Sequence, residues 1–254
     1  MNNNDCLIGY TGFVGQKLLS QKKFKFLFNS KNINKIKNKK FNYVFCAGAP
    51  GIKWMANKYP KQDLASINVL KKNIENISCK KFILISTVDV YSNSINKTEK
   101  NKPTTSKKNF YGKNRLDLEK FVMKNFANFL IIRLTALVGK QLKKNILYDI
   151  KNKFQLDKIN KNSVYQYYPI DNLLKDIKKL LNEKNKVIHL NSEPINVDEI
   201  LNDNNLSLLD GGLIKKKELY NLKSIYSKKY KNIKNYFYNK KKILFYIKKY
   251  LHEG

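Results

Sequence analysis

Arginine is nearly missing from this chain: of its 51 Lys+Arg residues, only Arg115 and Arg133 are arginine. Histidine and cysteine are almost as scarce. Cys6, Cys46 and Cys79 form no CxxC pair, and His189 and His252 stand far apart in the sequence. That argues against a structural zinc site and against a disulfide framework, and no metal is expected. No apolar run approaches the ~18 residues needed to span a membrane. Repeats and Pro- or Ser-rich linkers are also missing.

The near-absence of arginine decides how the formal charge of +32 is read. Such a charge invites a nucleic-acid partner. Arg, however, is the residue that makes bidentate contacts to bases and phosphates, and here nearly every cation is lysine. Abundant Lys, Asn, Ile, Tyr and Phe with little Arg is the signature of an A+T-rich coding sequence. The basic surface is therefore read as a solvated product of composition, with no specific nucleic-acid partner. A functional polyanion patch remains the alternative.

What is present begins at once. A short apolar run, Cys6-Leu7-Ile8, leads into Gly9, Gly12 and Gly15, and a helical pattern follows through Gln16, Lys17, Leu18 and Leu19. A strand that enters a Gly-rich turn and opens a helix is how an α/β fold grips a dinucleotide. Glycines let the backbone approach the pyrophosphate, and the helix N-terminus offers free N–H groups. The spacing is GxxGxxG rather than GxGxxG. A glycine turn this early leaves little room for a signal peptide, so a cytoplasmic chain is expected.

Phe24–Phe28, Tyr43–Ala47, Phe82–Ser86 and Phe129–Leu134 are short runs apolar on both faces, as in parallel strands covered by helices on both sides. Between them, Leu64–Ile77 and Leu116–Phe126 carry apolar residues at helical spacing. The predicted fold is α/β, a Rossmann-like doubly wound parallel sheet with a small C-terminal lobe. Residues 1–140 would form the sheet domain and 141–254 a smaller, partly interleaved lobe. In the second half, Pro169–Leu181 reads as a helix, Val187–Leu190 as a strand and Asn196–Leu201 as a short helix. Lys242–Leu251 reads as a basic amphipathic helix, which either packs on the domain or lies on a membrane surface.

Four later segments, in order, resemble the extended short-chain dehydrogenase/reductase family, the NAD-dependent epimerase/dehydratase group. Tyr43-Val-Phe-Cys-Ala47-Gly48-Ala49 is similar to the family's fourth strand and its small-residue turn. Phe82-Ile-Leu-Ile-Ser86-Thr87-Val-Asp89-Val-Tyr91 is similar to the strand that carries the catalytic Ser/Thr. That residue lies four before the Tyr of the V-Y pair, which selects Thr87. Tyr111-Gly-Lys-Asn-Arg115 stands where the family has its YxxxK helix, and Leu130-Ile-Ile-Arg133 through Gly139 resembles a strand at the mouth of the substrate site. Tyr167–Leu173 and Val187–Pro194 resemble substrate-lobe elements, so the likeness runs from residue 5 to about 201.

The resemblance implies an NAD(P) site drawn from Gly9, Thr11, Gly12, Phe13, Val14 and Gly15, with Ala47, Gly48 and Ala49 beside it. Asn29 and Ser30, after the second strand, replace the acidic residue that would take a ribose 2′-OH, and with Lys31 they favour NADP slightly over NAD. It further implies Tyr111 as general acid/base and Thr87 as its hydrogen-bonding partner at the substrate. The family's lysine, one helical turn after the Tyr, lowers its pKa and holds the nicotinamide ribose. Here that position is Arg115. In so lysine-rich a chain Arg looks selected, and Arg115 is expected to tune the tyrosine and bind the ribose; a guanidinium cannot lose a proton, so a relay through an ammonium is excluded. Arg133, and Lys144 and Asn145 beside Lys143, are the expected substrate contacts. Trp54 is read either as a stacking platform or as a partly buried loop anchor.

The function implied is an NAD(P)-dependent epimerase, dehydratase or reductase acting on a nucleotide-activated sugar by hydride transfer, possible as a homodimer. Two alternatives stay open. One is a catalytically impaired NAD(P)-binding sensor or scaffold; the other is a polyanion- or membrane-surface-binding protein.

Overall fold

The computed structural model describes residues 4–204, 206, 217–231 and 233–253. Its centre is a six-stranded sheet with this succession of elements: β1 (Cys6–Ile8), α1 (Phe13–Gln21), β2 (Phe26–Phe28), β3 (Lys40–Cys46), α2 (Lys53–Lys58), α3 (Pro60–Ile74), β4 (Ser78–Thr87), α4 (Phe110–Asn125), β5 (Phe129–Leu134), α5 (Leu173–Leu180) and β6 (Lys186–Leu190). In space the strands run β6-β5-β4-β3-β1-β2. β1 pairs in parallel with both β2 and β3, and β3 pairs in parallel with β4. The order therefore reverses at β1, and the C-terminal ends of β1 and β3 flank the topological switch point, where an open α/β sheet accepts its ligands.

The runs without alternation are explained by burial on both faces. Cys6, Leu7 and Ile8 are all buried, as are Phe82, Ile83 and Leu84 of β4 and Leu130, Ile131 and Ile132 of β5. On one face, Ile67, Leu70 and Ile74 of α3 and Leu118 and Val122 of α4 pack against Cys6, Ile8, Val44, Phe82, Leu84 and Ile131. Each such side chain contributes about 1.5–3 kcal/mol. Phe126, just past α4, stacks on Phe82 with ring centroids 4.2 Å apart. Residues of the other parity, Leu7, Phe45 and Ile83, point to the opposite face, and α1 and α5 touch each other. The three cysteines lie in neighbouring strands, Cys6 in β1, Cys46 in β3 and Cys79 in β4. Burial pushes the Cys46 and Cys79 thiols up to about 12, and Cys6 higher still.

The sequence reading is adjusted at element boundaries. The run read as Tyr43–Ala47 starts earlier, since β3 spans Lys40–Cys46 and pairs with β1 on the side away from β2. α3 and α4 also begin earlier than their apolar periodicity. Pro60 opens α3, as suits a residue with no N–H to leave unsatisfied. Asn109 caps α4 by accepting from the Gly112 N–H.

By contact density the chain divides into two units. The first comprises Met1–Ser92, Lys102–Arg133 and Asn172–Ile188; the second comprises Asn93–Asn101, Leu134–Asp171 and His189–Gly254. Within the second, Ala136–Val138 pairs in parallel with Tyr167–Pro169, and Ile195–Asn196 pairs antiparallel with Val164–Tyr165. Helix Val197–Asp203 starts from a capping box of Asn196 and Glu199. It shares an apolar cluster with Ile150 and Leu251. The basic C-terminal helix, Lys240–His252, buries Ile243, Ile247 and Tyr250. No helix among the described residues is long and apolar enough to cross a membrane.

Candidate functional site

The glycine turn is built from its own backbone. The Gly9 N–H donates to the Phe28 carbonyl at 2.7 Å, Gly12 N–H to Gly9 O at 3.0 Å, and Gln16 N–H to Gly12 O at 2.8 Å. The three glycines are there for different reasons. Gly9 has φ +82°, and a Cβ on it would overlap the Ala47 carbonyl. A Cβ on Gly15 would overlap Gly9 O. Gly12, exposed at the N-cap of α1 with ordinary φ −77°, would meet only Gly9 O, at 3.4 Å. Packing demands the first and third glycines but not the second. α1 has neither a side-chain cap nor an acidic residue in its first turn, so its leading N–H groups and dipole face outward, as an anion site requires. Thr11 is exposed, and Phe13 and Val14 are half-buried around the same turn.

Beside it, the Ala47 N–H donates to Ile8 O at 2.9 Å, continuing the β1–β3 ladder to its end. A Cβ on Gly48 would press on Ile8 Cγ2 at 3.0 Å, and Ala49 packs on the core. Small residues are thus needed where the two strands end. After β2, Asn29 is committed locally: its Oδ1 accepts from Lys31 N–H at 2.9 Å, and its Nδ2 donates to the Tyr10 hydroxyl at 3.1 Å. Ser30 is exposed.

Thr87 ends β4, and its Oγ1 accepts from the Asp89 N–H at 3.1 Å. Tyr111 lies in the first turn of α4, which docks on that strand end through Gly112. Any Cβ at 112 would overlap the Asp89 carbonyl. The same carbonyl accepts from Asn109 Nδ2 at 2.7 Å, while Asn57 of α2 accepts from the Tyr111 N–H at 2.9 Å. The structure therefore brings Thr87 and Tyr111 together. Burial raises the phenol above its ordinary value; the Arg115 cation opposes the rise, Asp89 adds to it, and Lys53 and a hydrogen bond with Thr87 oppose it. The net direction is upward, so Tyr111 is a protonated phenol at neutral pH.

Arg115 is placed differently from expectation. Its guanidinium lies over the Tyr111 ring, 4.1 Å from the centroid. It is only 3% exposed, because it forms an ion pair with buried Asp63 of α3 and donates to the Pro50 carbonyl. Its Nε is buried with no hydrogen-bond partner. The terminal nitrogens are thus spent inside the protein. Lys53 of α2 reaches Asp89 at 2.7 Å, and both act on the tyrosine. Nothing in the local pattern around Tyr111 points to Lys53, Asp63 or Asp89; the signal is tertiary.

Arg133, expected at the substrate, is 2% exposed in a buried network. Its Nε and one terminal nitrogen donate to the two oxygens of Glu119 at 3.0 and 2.6 Å, and the other terminal nitrogen donates to the Tyr91 hydroxyl at 2.8 Å. Ser86 Oγ donates to Glu119 as well. Each guanidinium nitrogen is thus engaged inside the protein, in a clamp between β4, α4 and β5. In the second unit, Asn145 (φ 96°) caps helix Ile146–Lys151 through the Leu147 N–H at 2.9 Å and donates to Leu137 O at 2.8 Å. It shapes the chain there, and Lys144 precedes it half-buried. Trp54 is no loop anchor: it stands 62% exposed on α2. Among the described residues no cluster of His, Cys, Asp and Glu could hold a metal ion.

No protein-family model matches the sequence, and no curated protein matches it. Solved structures do share the fold. One is a UDP-N-acetylglucosamine 4-epimerase from Methanobrevibacter ruminantium in complex with UDP-N-acetylmuramic acid: TM-score 0.73, 13% identity, 98% of this chain and 97% of that one. A dTDP-4-dehydrorhamnose reductase from Bacillus anthracis in complex with NADP aligns with TM-score 0.72 at 14% identity, over 100% and 99%. A UDP-glucose 4-epimerase from Thermotoga maritima with UDP-glucose aligns with TM-score 0.69 at 14% identity, over 98% and 97%. The likeness spans the whole chain and establishes the architecture, a Rossmann-like sheet flanked by helices.

Proposed function

We propose that this chain is an NAD(P)-dependent enzyme of the epimerase, dehydratase or reductase kind, acting on a nucleotide-activated sugar. The observation that carries the reading is that the glycine turn, the Ala47-Gly48 turn and Thr87 stand at the ends of the adjacent parallel strands β1, β3 and β4, with Tyr111 docked against Thr87. The fit to a dinucleotide is local and physical. Gly12, the glycine that packing does not require, borders the uncapped N-terminus of α1, so bare backbone and free N–H groups face a pyrophosphate together. When bound, the nicotinamide would accept a hydride from a carbinol carbon or supply one to the corresponding carbonyl carbon. Tyr111 then holds or moves the proton of the sugar hydroxyl, and Thr87 hydrogen-bonds the same oxygen. Lys144 is the residue we assign to the phosphates of the sugar nucleotide. The lack of a carboxylate at position 29 favours NADP over NAD.

The test is binding. Purified protein is denatured to identify any released nucleotide, then titrated with NADPH and NADH. Saturable binding of either is expected, with NADPH the tighter. No binding of either sinks the proposal. Gly12→Ala should weaken binding about tenfold or more, roughly 1.4 kcal/mol, without loss of stability, whereas Gly15→Ala should destabilise the fold.

A second reading has its own support. Arg115 is enclosed by Asp63 and Pro50, and the Tyr111 phenol is raised rather than lowered. Such a centre suits a cofactor-binding sensor with little turnover. Arg115→Lys separates the two readings: gained turnover marks an impaired site, and lost turnover marks Arg115 as the working residue.

A further inference from the structure

Lys53 opens α2 with its ammonium 2.7 Å from Asp89 Oδ1. Its side chain is 45% exposed, whereas that of Asp89 is mostly covered. Asp89 is fixed from three sides. Its N–H donates to Thr87 Oγ1, its carbonyl accepts from Asn109 Nδ2, and the same carbonyl is the surface on which Gly112 packs. One turn along α2, Asn57 accepts from the Tyr111 N–H at 2.9 Å. One face of this short helix, at i and i+4, thus holds both the residue after the Thr87 turn and the backbone of the tyrosine. Arg115 is committed to Asp63 and Pro50 beneath the ring, cannot release a proton, and is shut off from solvent.

We propose that Lys53, anchored by Asp89, is the solvent-connected cation in the charge balance of Tyr111, adding from α2 an adjustable charge to the enclosed one of Arg115. Lys53 is a positioning residue acting through the tyrosine. Its importance for catalysis rests on the proposed function above; its electrostatic content does not.

The charged groups facing Tyr111 are Arg115 from α4 itself, Lys53 from α2 and Asp89 from the turn after β4. Asp63 of α3 acts through Arg115, and the Thr87 hydroxyl completes the surroundings. Lys53 favours the phenolate and Asp89 opposes it. Because the two are ion-paired, removing either one exposes the tyrosine to the other. The signs of the two substitutions are therefore opposite, which a merely structural contact would not produce.

The experiment places 3-fluorotyrosine at position 111 of the full chain and follows its ionisation by fluorine NMR without cofactor. The fluorine brings the titration into a range where the fold persists. Lys53→Gln is expected to move the midpoint up, Lys53→Arg to restore it, and Asp89→Asn to move it down. The Lys53→Gln shift should shrink as salt is raised, because the cation is partly exposed. An unchanged midpoint in Lys53→Gln overturns the proposal, as does Lys53→Arg behaving like Lys53→Gln or Asp89→Asn moving upward. NADPH titration runs in parallel. Opposite shifts without any nucleotide binding would refute the enzymatic reading and leave the Lys53–Tyr111 coupling standing.

Discussion

Two arginines survive in a lysine-rich chain, and their surroundings differ in one respect that matters. Around Arg133 all three guanidinium nitrogens are partnered, two on Glu119 and one on Tyr91, and Ser86 completes the carboxylate. Around Arg115 both terminal nitrogens are used, but Nε is buried without a partner and the planar group lies against the Tyr111 ring. Both positions need a flat, forked, permanently charged group, which lysine cannot supply. The first is a closed network of the kind that clamps a core. The second is incompletely satisfied, with one buried donor left without a partner. Composition thus marks both positions as constrained, and only the hydrogen-bond inventory tells the two apart.

The contrast can be broken by substitution, and the largest effect should come from Arg133. Arg133→Ala strands the fully buried Glu119 carboxylate and is expected to cost about 3–5 kcal/mol in urea unfolding. A loss below 1 kcal/mol would erase the distinction drawn here. Arg115→Ala likewise uncovers Asp63, but it removes a less complete network, so the cost should be at the lower end, about 3 kcal/mol. It should also move the Tyr111 titration upward, since the guanidinium opposes the rise caused by burial. Arg→Lys exchanges sharpen the comparison. Arg133→Lys leaves acceptors unpaired at about 1–3 kcal/mol, and Arg115→Lys should cost less, because one donor there is already idle.

The smallest effect is alkaline. The folded-state phenol of Tyr111 is raised above its unfolded value near 10. Folded protein then holds the proton more tightly, so this contribution is complete below about pH 10 and is lost as pH rises through the folded-state value. Tyr111→Phe should accordingly flatten the fall in stability above pH 10, measured by urea midpoints against pH. An unchanged slope would place the tyrosine in a more solvated setting than the structure describes.

Much of the fold could be read from the order of apolar runs. Leu130–Ile132 and Phe82–Leu84 are buried on both faces, and that leaves an unmistakable trace in sequence. Helix starts were less legible, because the first turn of α4 is spent on Tyr111, Gly112 and their caps rather than on core residues. Thr87 and Tyr111 could be chosen by type and spacing. Their surroundings could not. Lys53 and Asp89 lie 36 residues apart, Asn57 and Tyr111 54 apart, and Asp63 and Arg115 52 apart. Lys53 was further hidden because one lysine among so many carries no signal. Arg133 shows the converse: a motif position suggested contact with substrate, and its guanidinium is held by Glu119, 14 residues earlier on α4.

The three cysteines have a use beyond packing. Each sits in one of the adjacent strands β1, β3 and β4, and burial keeps each thiol protonated far above neutral pH. A thiolate-seeking reagent therefore finds little to attack at the buried Cys6 and Cys46 until a strand lets go, with half-buried Cys79 as the comparison. Labelling followed by mass spectrometry becomes a stopwatch for the opening of the strands that end in the glycine turn, the Ala47-Gly48 turn and Thr87. A bound nucleotide would slow that clock in proportion to its grip.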